Sequence, residues 1–458
     1  MDKPSITFYS GADTVTSANF MLTVGEVKIL VDCGLLQGEK FAEDKNKKPF
    51  DYDPKLVKTL LVTHAHLDHI GRIPKLVKEG FKGEIVSTEA TKQITSLMFD
   101  DAIKIMSYER EKGEDFLYDK EDVERALSIW KTVGYYEPYD ISDSIRVTAF
   151  NAGHILGSSM YKIEFPGVNG EKRSVIFSGD LGNSPSPLLP DTDSFPNSDY
   201  LVVESVYGDR DHEEKSLRKQ KLADIVNKVV KKKGTLLIPA FSIEKTQVLL
   251  YELNELIENK VIKGEVSVFL DSPLAIAVTD IYRKMDHHFK AVVRDDIKSG
   301  DRIFEFPGFS VTPHIKDSKD IEKVPSPKII IAGSGMSSGG RIVGHEKRYL
   351  NDKNNTILFV GYQAAGSLGR KIQEGTSPVV IDDEKVDVRA SIETITGYSS
   401  HKDGSSILSL IESVPTPFKK VFVVLGEPKS SLFLVQRIKD YLDIDAIHPS
   451  DGEEFVLD

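Results

Sequence analysis

Within six residues, His64-Ala65-His66-Leu67-Asp68-His69, the chain places three of its 11 histidines and an aspartate. The stretch follows the apolar run Leu60-Leu61-Val62, which reads as a buried strand, and precedes Ile70 to Glu79, which has helical spacing. The cluster therefore sits on a strand-to-helix turn, where a rigid scaffold presents side chains to a cleft. In an extended turn positions i and i+2 point the same way, so His64 and His66 are placed to grip one metal ion. Asp68 and His69, at the helix start, are better placed for a second. Neutral imidazoles and carboxylates ligate zinc at about 2.0–2.2 Å. The bland alternative is a solvated turn that happens to carry histidines, and so strong a concentration of a scarce residue weighs against it. A purely structural zinc is a poor fit, because such sites are built mostly from cysteine and the chain has one, Cys33.

At 458 residues the chain is long enough for two or three domains with their own cores. A 40% hydrophobic and 28% charged composition is that of an ordinary globular protein. A single cysteine excludes an intrachain disulfide and fits a reducing compartment. The start lacks a basic and apolar leader, and no apolar run reaches the roughly 18 residues that span a bilayer; a cytoplasmic protein is expected. The net charge of −12 argues against broad coating of nucleic-acid phosphates. It leaves room for a cleft enzyme whose bound metals are the largest local charges.

Other residues join the first cluster. Asp32 ends the apolar run Ile29-Leu30-Val31, a common place for a turn former. Residues 88–135 read as helical, with Val123, Ala126, Leu127, Trp130 and Val133 forming one apolar stripe that belongs to a core. His154 lies in the glycine-flanked loop Ala152 to Ser159, where the backbone can come close to a site. Beside the first cluster it is read as a third ligand. Asp180 follows the strand Ser174 to Phe177, between Gly179 and Gly182, and suits a carboxylate bridging two metals. A further strand, Tyr200 to Val203, delivers Glu204. About 180 residues then alternate helices near 217–233, 244–258 and 274–285 with near-continuous apolar strands, TLLIPA, VSVFLD, KIIIAG and NTILFVGY. That alternation predicts a parallel sheet covered on both faces, in an inserted α/β domain.

These segments resemble the metallo-β-lactamase superfamily and, within it, the β-CASP nucleases, over nearly the whole chain. HAHLDH is similar to the superfamily's second motif, Asp32 to its first, and Glu204 in ESVYGDR to β-CASP motif A. In the insert, Ile238-Pro239-Ala240-Phe241, Asp271-Ser272-Pro273-Leu274-Ala275, Ser334-Gly335-Met336 with Gly340-Arg341, and Gly361-Tyr362-Gln363 with Gly369-Arg370 continue the likeness. Gly397 to Asp403 resembles motif B and carries His401. Three departures stand out. Ser17 occupies a position that the family usually gives to glycine. Glu244-Lys245 replaces Gly-Arg and sets a carboxylate beside a presumed phosphate contact. Leu425-Gly426-Glu427 replaces His-Gly-Glu, whose histidine binds the second metal.

The resemblance implies an αββα metallo-β-lactamase sandwich (residues 1–206 and 389–458) carrying a β-CASP α/β domain (207–388). It implies two Zn2+ ions, with His64, His66 and His154 on the first, Asp68 and His69 on the second, and Asp180 bridging. The second site is expected to be weak for want of a histidine at Leu425. Asp32 would orient the histidine loop from behind, and Asp68 counts as catalytic as well as ligating. His401, oriented by Glu204, would be the general acid for a departing 3′ oxygen, while metal-activated water attacks the phosphodiester. The implied substrate is single-stranded RNA, with DNA a distant second; internal cleavage is expected, while the sequence leaves 5′-to-3′ exonucleolytic cleavage open. Arg341, Arg370 and Ser334 are candidates for holding substrate phosphates, although such arginines serve equally well as ordinary ion pairs. Rival classes are a non-cleaving scaffold that binds RNA or protein, suggested by Leu425, a small-molecule hydrolase such as a thioesterase, and an RNA-binding subunit indifferent to chelation. The sequence leaves a homodimer open.

Overall fold

The computed structural model describes residues 3–38, 41–110, 116–213, 215–364 and 366–458, so residues 111–115 of the expected helical stretch lie outside the described residues. The chain forms two compact units, Met1–Asp211 with His401–Asp458, and His212–Ser400.

The first unit is built on two seven-stranded sheets. One runs in the order Glu453–Val456, Ser5–Ser10, Asn19–Val24, Val27–Val31, Val57–Leu61, Glu84–Ser87, Trp130–Thr132. The other runs Ala446–Ile447, Lys420–Val424, Tyr200–Glu204, Lys172–Phe177, Ser159–Pro166, Ile145–Asn151, Pro138–Ser142. They pack face to face. Phe8 meets Phe422 with ring centroids 5.4 Å apart, and Phe20 stacks on Phe177 at 6.4 Å, each pair joining one sheet to the other. The strand Lys420–Val424 explains why no polar alternation appears in the sequence here. Phe422 and Val424 enter the core between the sheets, while Val421 and Val423 pack with Ile407, Ile411, Leu434 and Ile438 of the helices Gly404–Glu412 and Pro428–Leu442. A strand covered on both faces is apolar throughout.

The expected stripe from Val123 to Val133 is only partly helical. The helix Lys120–Ser128 ends before Trp130, and Trp130–Thr132 is a strand paired in parallel with Glu84–Ser87. An aromatic followed by β-branched residues favours the pleated edge. Pairing there lets the Trp130 indole N–H donate to Ser87 Oγ at 2.8 Å.

The second unit contains a six-stranded parallel sheet in the order Phe309–Val311, Ser267–Asp271, Lys328–Ala332, Thr235–Pro239, Thr356–Phe359, Ser391–Thr394. Its helices Arg218–Lys232, Lys245–Glu258 and Pro273–Lys284 fall within a residue of the expected spans. Ser272 caps the last of them by accepting from the Ala275 N–H, with Pro273 in the first turn. Because Ser391–Thr394 pairs with Thr356–Phe359, this unit runs from 212 to 400, later at both ends than the expected 207–388. No helix among the described residues is long and apolar enough to cross a membrane.

Glu244, expected beside a path for substrate phosphate, is turned inward. It is buried at φ 64°, and accepts the Tyr282 hydroxyl at 2.6 Å. Burial raises its carboxyl to about 7. The folded state therefore holds a proton that the unfolded chain releases near pH 4.5. The stability this contributes is complete below that pH and is lost as pH rises through 7. Glu244→Gln keeps an acceptor for Tyr282 without the charge. Urea denaturation should find the variant more stable than the parent at pH 8, by an amount on the order of 1–3 kcal/mol. At pH 4 the difference should shrink.

Candidate metal centre

The parallel strands of both sheets in the first unit end at the site. Val27–Val31 leads into Asp32, Val57–Leu61 into Thr63 and His64, Lys172–Phe177 into Asp180, and Tyr200–Glu204 ends on Glu204 itself. Ligands gather at the carboxyl ends of such strands because the loops there are held by rigid, buried neighbours.

His64, His66, His154 and Asp180 each offer one atom to a group lying within 4.8 Å of one another, three of the four residues being buried. His64 Nε2 stands 3.1 Å from His66 Nδ1 and 3.4 Å from Asp180 Oδ2. His154 Nε2 stands 3.2 Å from His66 Nδ1 and 3.5 Å from Asp180 Oδ2. Four donors held about 2.0–2.2 Å from one ion in a tetrahedron stand roughly 3.3–3.6 Å apart. The donor set therefore fits a tetrahedral divalent metal. Burial and the surrounding imidazoles push His66 and His154 well below the usual histidine range, keeping both rings neutral, as ligands must be. Burial alone would raise Asp180, but His69, His64 and His401 outweigh it and hold the carboxylate ionised.

Behind these ligands, Asp32 anchors the turn. Its Oδ1 accepts the Thr63 N–H at 2.8 Å, and its Oδ2 accepts the Thr63 hydroxyl and His69 Nδ1, both at 2.7 Å. Asp32 adopts φ 60°, a strained value for a non-glycine residue. Ser17 likewise has φ 75° where the family has glycine. Its hydroxyl accepts from Arg72 at 3.1 Å and donates to Ser10 at 3.0 Å, a return that glycine would not give. Sequence reasoning passed over Thr63, whose only signal was a hydroxyl directly before the first histidine.

His69 is placed apart from the four-donor group. Its Nε2 is buried with no hydrogen-bond partner, 3.3 Å from Asp180 Oδ1. With Nδ1 committed to Asp32, a neutral ring turns a lone pair toward a carboxylate oxygen, an arrangement that calls for a cation. Burial would lower this ring, but Asp180 and Asp32 raise it well above the usual range, so a proton takes that place when nothing else does. Asp180 thus offers Oδ2 to one side and Oδ1 to the other. Asp68 lies in neither of the groups that could hold a metal among the described residues. Its backbone oxygen accepts the Ala18 N–H at 2.9 Å, and burial pushes its carboxyl up. Leu425 is buried in the apolar cluster with Ala12 and Ala18, with its N–H donating to Gly11 O.

Asp180, Glu204 and His401 form the second group within 4.8 Å. His401 Nδ1 is 3.3 Å from Glu204 Oε1 and 3.8 Å from Asp180 Oδ2. Glu204 is fully buried, and its Oε1 also accepts the Leu181 N–H at 2.6 Å. A short bridge between Gly182 and His401 brings motif B alongside the Asp180 loop.

The insert's candidates are arranged differently. Arg341 is committed to Asp271, with Nη1 2.7 Å from Oδ1, and it donates to the carbonyls of Thr312 and Pro313. Asp271 is fully buried and also accepts from His345, Ser318 and Thr312; these bonds overcome burial and hold it at about 2. Arg341, a candidate phosphate contact, is here engaged in a buried ion pair, made where two segments far apart in sequence meet beside one parallel sheet. Arg370 pairs with Glu374 at 2.6 Å on the surface, and Ser334 Oγ lies 3.1 Å from Ser338 Oγ.

Residues 21–179 match the metallo-β-lactamase superfamily domain, 246–372 the Beta-Casp domain, and 385–449 the Zn-dependent metallo-hydrolase RNA specificity domain. Ribonuclease TTHA0252 of Thermus thermophilus is 35% identical over 431 residues, covering 93% of this chain and 94% of its own. The chain belongs to the β-CASP branch of the metallo-β-lactamase superfamily. Transcription termination factor FttA of Pyrococcus abyssi is 31% identical, over 94% of this chain and 68% of that protein. A crystal structure of a protein of unknown function from Enterococcus faecalis V583 covers the whole chain with a TM-score of 0.56 at 14% identity, a likeness of fold. A divalent metal goes with this β-CASP fold, and the four-donor group is where it fits.

Removing Arg341 should act on stability. Arg341→Ala strips a buried carboxylate of its one permanent cation, a loss that typically costs about 3 kcal/mol. Urea denaturation of the variant should show it. A phosphate-binding role would instead leave the midpoint unmoved and weaken RNA binding.

Proposed function

We propose that this chain is a zinc-dependent ribonuclease that cuts single-stranded RNA internally, in RNA processing or decay. The observation that carries the reading is that one carboxylate, Asp180, belongs both to a metal-binding donor set and to a Glu204–His401 pair. The kinship with a ribonuclease and with a transcription termination factor supports RNA as substrate, as does the match to an RNA specificity domain. Internal cleavage is the part of this reading that the labelled-RNA experiment below decides.

His64, His66, His154 and Asp180 would hold the first zinc, and His69 with Asp180, joined by Asp68 from the same turn, a second and weaker one. Bound zinc lowers the pKa of water and neutralises charge on a phosphoryl group. The protein's part is positional and acid–base. Glu204 accepts from His401 Nδ1, which leaves the proton on Nε2 as the one available to a departing 3′ oxygen. Burial of Glu204 fixes the ring's orientation. Arg370 and Ser334 remain the proposed phosphate contacts.

End-labelled single-stranded RNA, incubated with zinc and with chelator, tests the activity and its mode. Internal fragments that vanish on chelation are expected. A non-cleaving scaffold, suggested by Leu425, predicts intact RNA in both arms. His401→Ala should keep the parent's zinc content while cleavage slows by about 10²–10⁴. A parallel loss of zinc would make His401 a ligand.

Leu425 yields a separate outcome. With three protein ligands the second site should fill weakly, so parent activity should rise with added zinc. Leu425→His should hold two equivalents through purification and need less added metal. If the parent already retains two full equivalents and the variant gains nothing, the second site is not weakened.

A further inference from the structure

We infer that Thr63 is a positioning residue for the metal centre: its hydroxyl fixes the His64 ring with Nε2 toward the metal, and it is where four chain segments of the site meet. The inference rests on the metal reading of the donor set and not on the identity of the substrate.

Thr63 is buried, with 1% of its surface exposed. Its Oγ1 lies 2.7 Å from Asp32 Oδ2, 3.1 Å from His64 Nδ1 and 3.4 Å from His69 Nδ1. The hydroxyl has one proton to give and two lone pairs to accept with. Asp32 Oδ2 is a carboxyl oxygen that already accepts from His69 and lies at the shortest of these distances, so the proton goes there. What remains toward His64 is a lone pair, which requires the proton of a neutral His64 ring to sit on Nδ1. Nε2 is then the unprotonated atom, and Nε2 is the atom that faces His66 Nδ1 and Asp180 Oδ2. The Asp32 carboxylate therefore acts on two ligands by different routes, on His69 directly at 2.7 Å and on His64 through the Thr63 hydroxyl.

The rest of Thr63 joins the other segments. Its N–H donates to Asp32 Oδ1 at 2.8 Å, and its carbonyl accepts the Ser159 N–H at 2.8 Å, at the end of the loop that carries His154. Gly179, the residue before Asp180, has φ 52° and packs against the Thr63 side chain so closely that a Cβ there would lie 2.7 Å from Thr63 Cβ. The Asp32, His64, His154 and Asp180 segments thus share one small residue. Serine would keep the hydroxyl; valine would keep the shape and lose every hydrogen bond the hydroxyl makes.

The test is zinc affinity, measured without RNA by competition with a chromophoric chelator, together with the visible spectrum of the cobalt(II) form. Thr63→Val should bind the first zinc roughly 10–100-fold more weakly, the usual cost of losing a partner behind a metal-ligating histidine. Its cobalt spectrum should shift as His64 loses its fixed orientation. Thr63→Ser should stay within about threefold of the parent with an unchanged spectrum. Parent-like affinity in the valine variant would overturn the inference. So would a serine variant as weak as valine, because the methyl's packing on Gly179 would then be the property that matters. If the valine protein does not fold, the serine protein alone still separates hydroxyl from packing. Absence of zinc binding in the parent would refute the metal reading, an outcome distinct from either.

Discussion

The site depends on a repulsion. Three ring nitrogens and a carboxylate oxygen converge to 3.1–3.5 Å, and a second carboxylate oxygen meets another ring nitrogen at 3.3 Å. Neutral imidazoles turn lone pairs into that space, and a carboxylate turns charge into it. Without a metal, protons on the rings, as on His69 beside Asp180, must offset this, because burial keeps water from doing so. The fold must therefore hold these atoms together by force from behind, and much of the first unit can be read as the means of doing so.

Those means are the parallel strands. Strands covered on both faces are apolar along their whole length, so they cannot slip in register or turn without exposing a face. Val57–Leu61 and Lys172–Phe177 are buried and apolar over their carboxyl-terminal residues, Tyr200–Glu204 is buried throughout, and each gives way to polar residues where its apolar run stops. Asp32 then ties the loops together, satisfying two donors of Thr63 and one of His69 at once. A buried carboxylate with three short bonds has no alternative orientation. The positive φ of Asp32 and of Ser17 is strain that these bonds offset.

How much was legible in the sequence followed from how restricted the chemistry is. Few residue types ligate divalent metals, so His64 and His66 stood out by their spacing and His154 and Asp180 only beside them and the family likeness, and the structure brings the four together. The insert's helices were legible because a 3.6 period sustained over a dozen residues has few other readings. Thr63 was not legible, because its work is done by where its one proton goes, and threonine before a loop is ordinary. Trp130 failed for a different reason: spacing at i+3 and i+4 also fits the end of a helix followed by an edge strand, and only the neighbouring strand decides. Arg341 was ambiguous for want of a partner. Asp271, 70 residues away, is the residue that engages it, and pairing across that separation is set by the sheet order. Glu244 was set beside a presumed phosphate contact by its place in the motif, whereas burial and Tyr282 keep it inside.

The two sides of Asp180 are unequal, and the inequality is structural before it is chemical. On the Oδ2 side three rings complete a donor set that needs nothing more from the chain. On the Oδ1 side His69 comes close, Asp68 stands outside the groups found among the described residues, and Leu425 is part of the apolar core. A leucine there adds to the packing between Ala12 and Ala18, which a histidine serving a metal would have to leave. Leu425 serves the core and offers no donor atom. The Asp32 bond to His69 persists even so, holding Nε2 toward Asp180 with no partner of its own. Held 3.3 Å from Asp180 Oδ1, that nitrogen is where a proton sits when nothing else does, and a second cation would have to replace it.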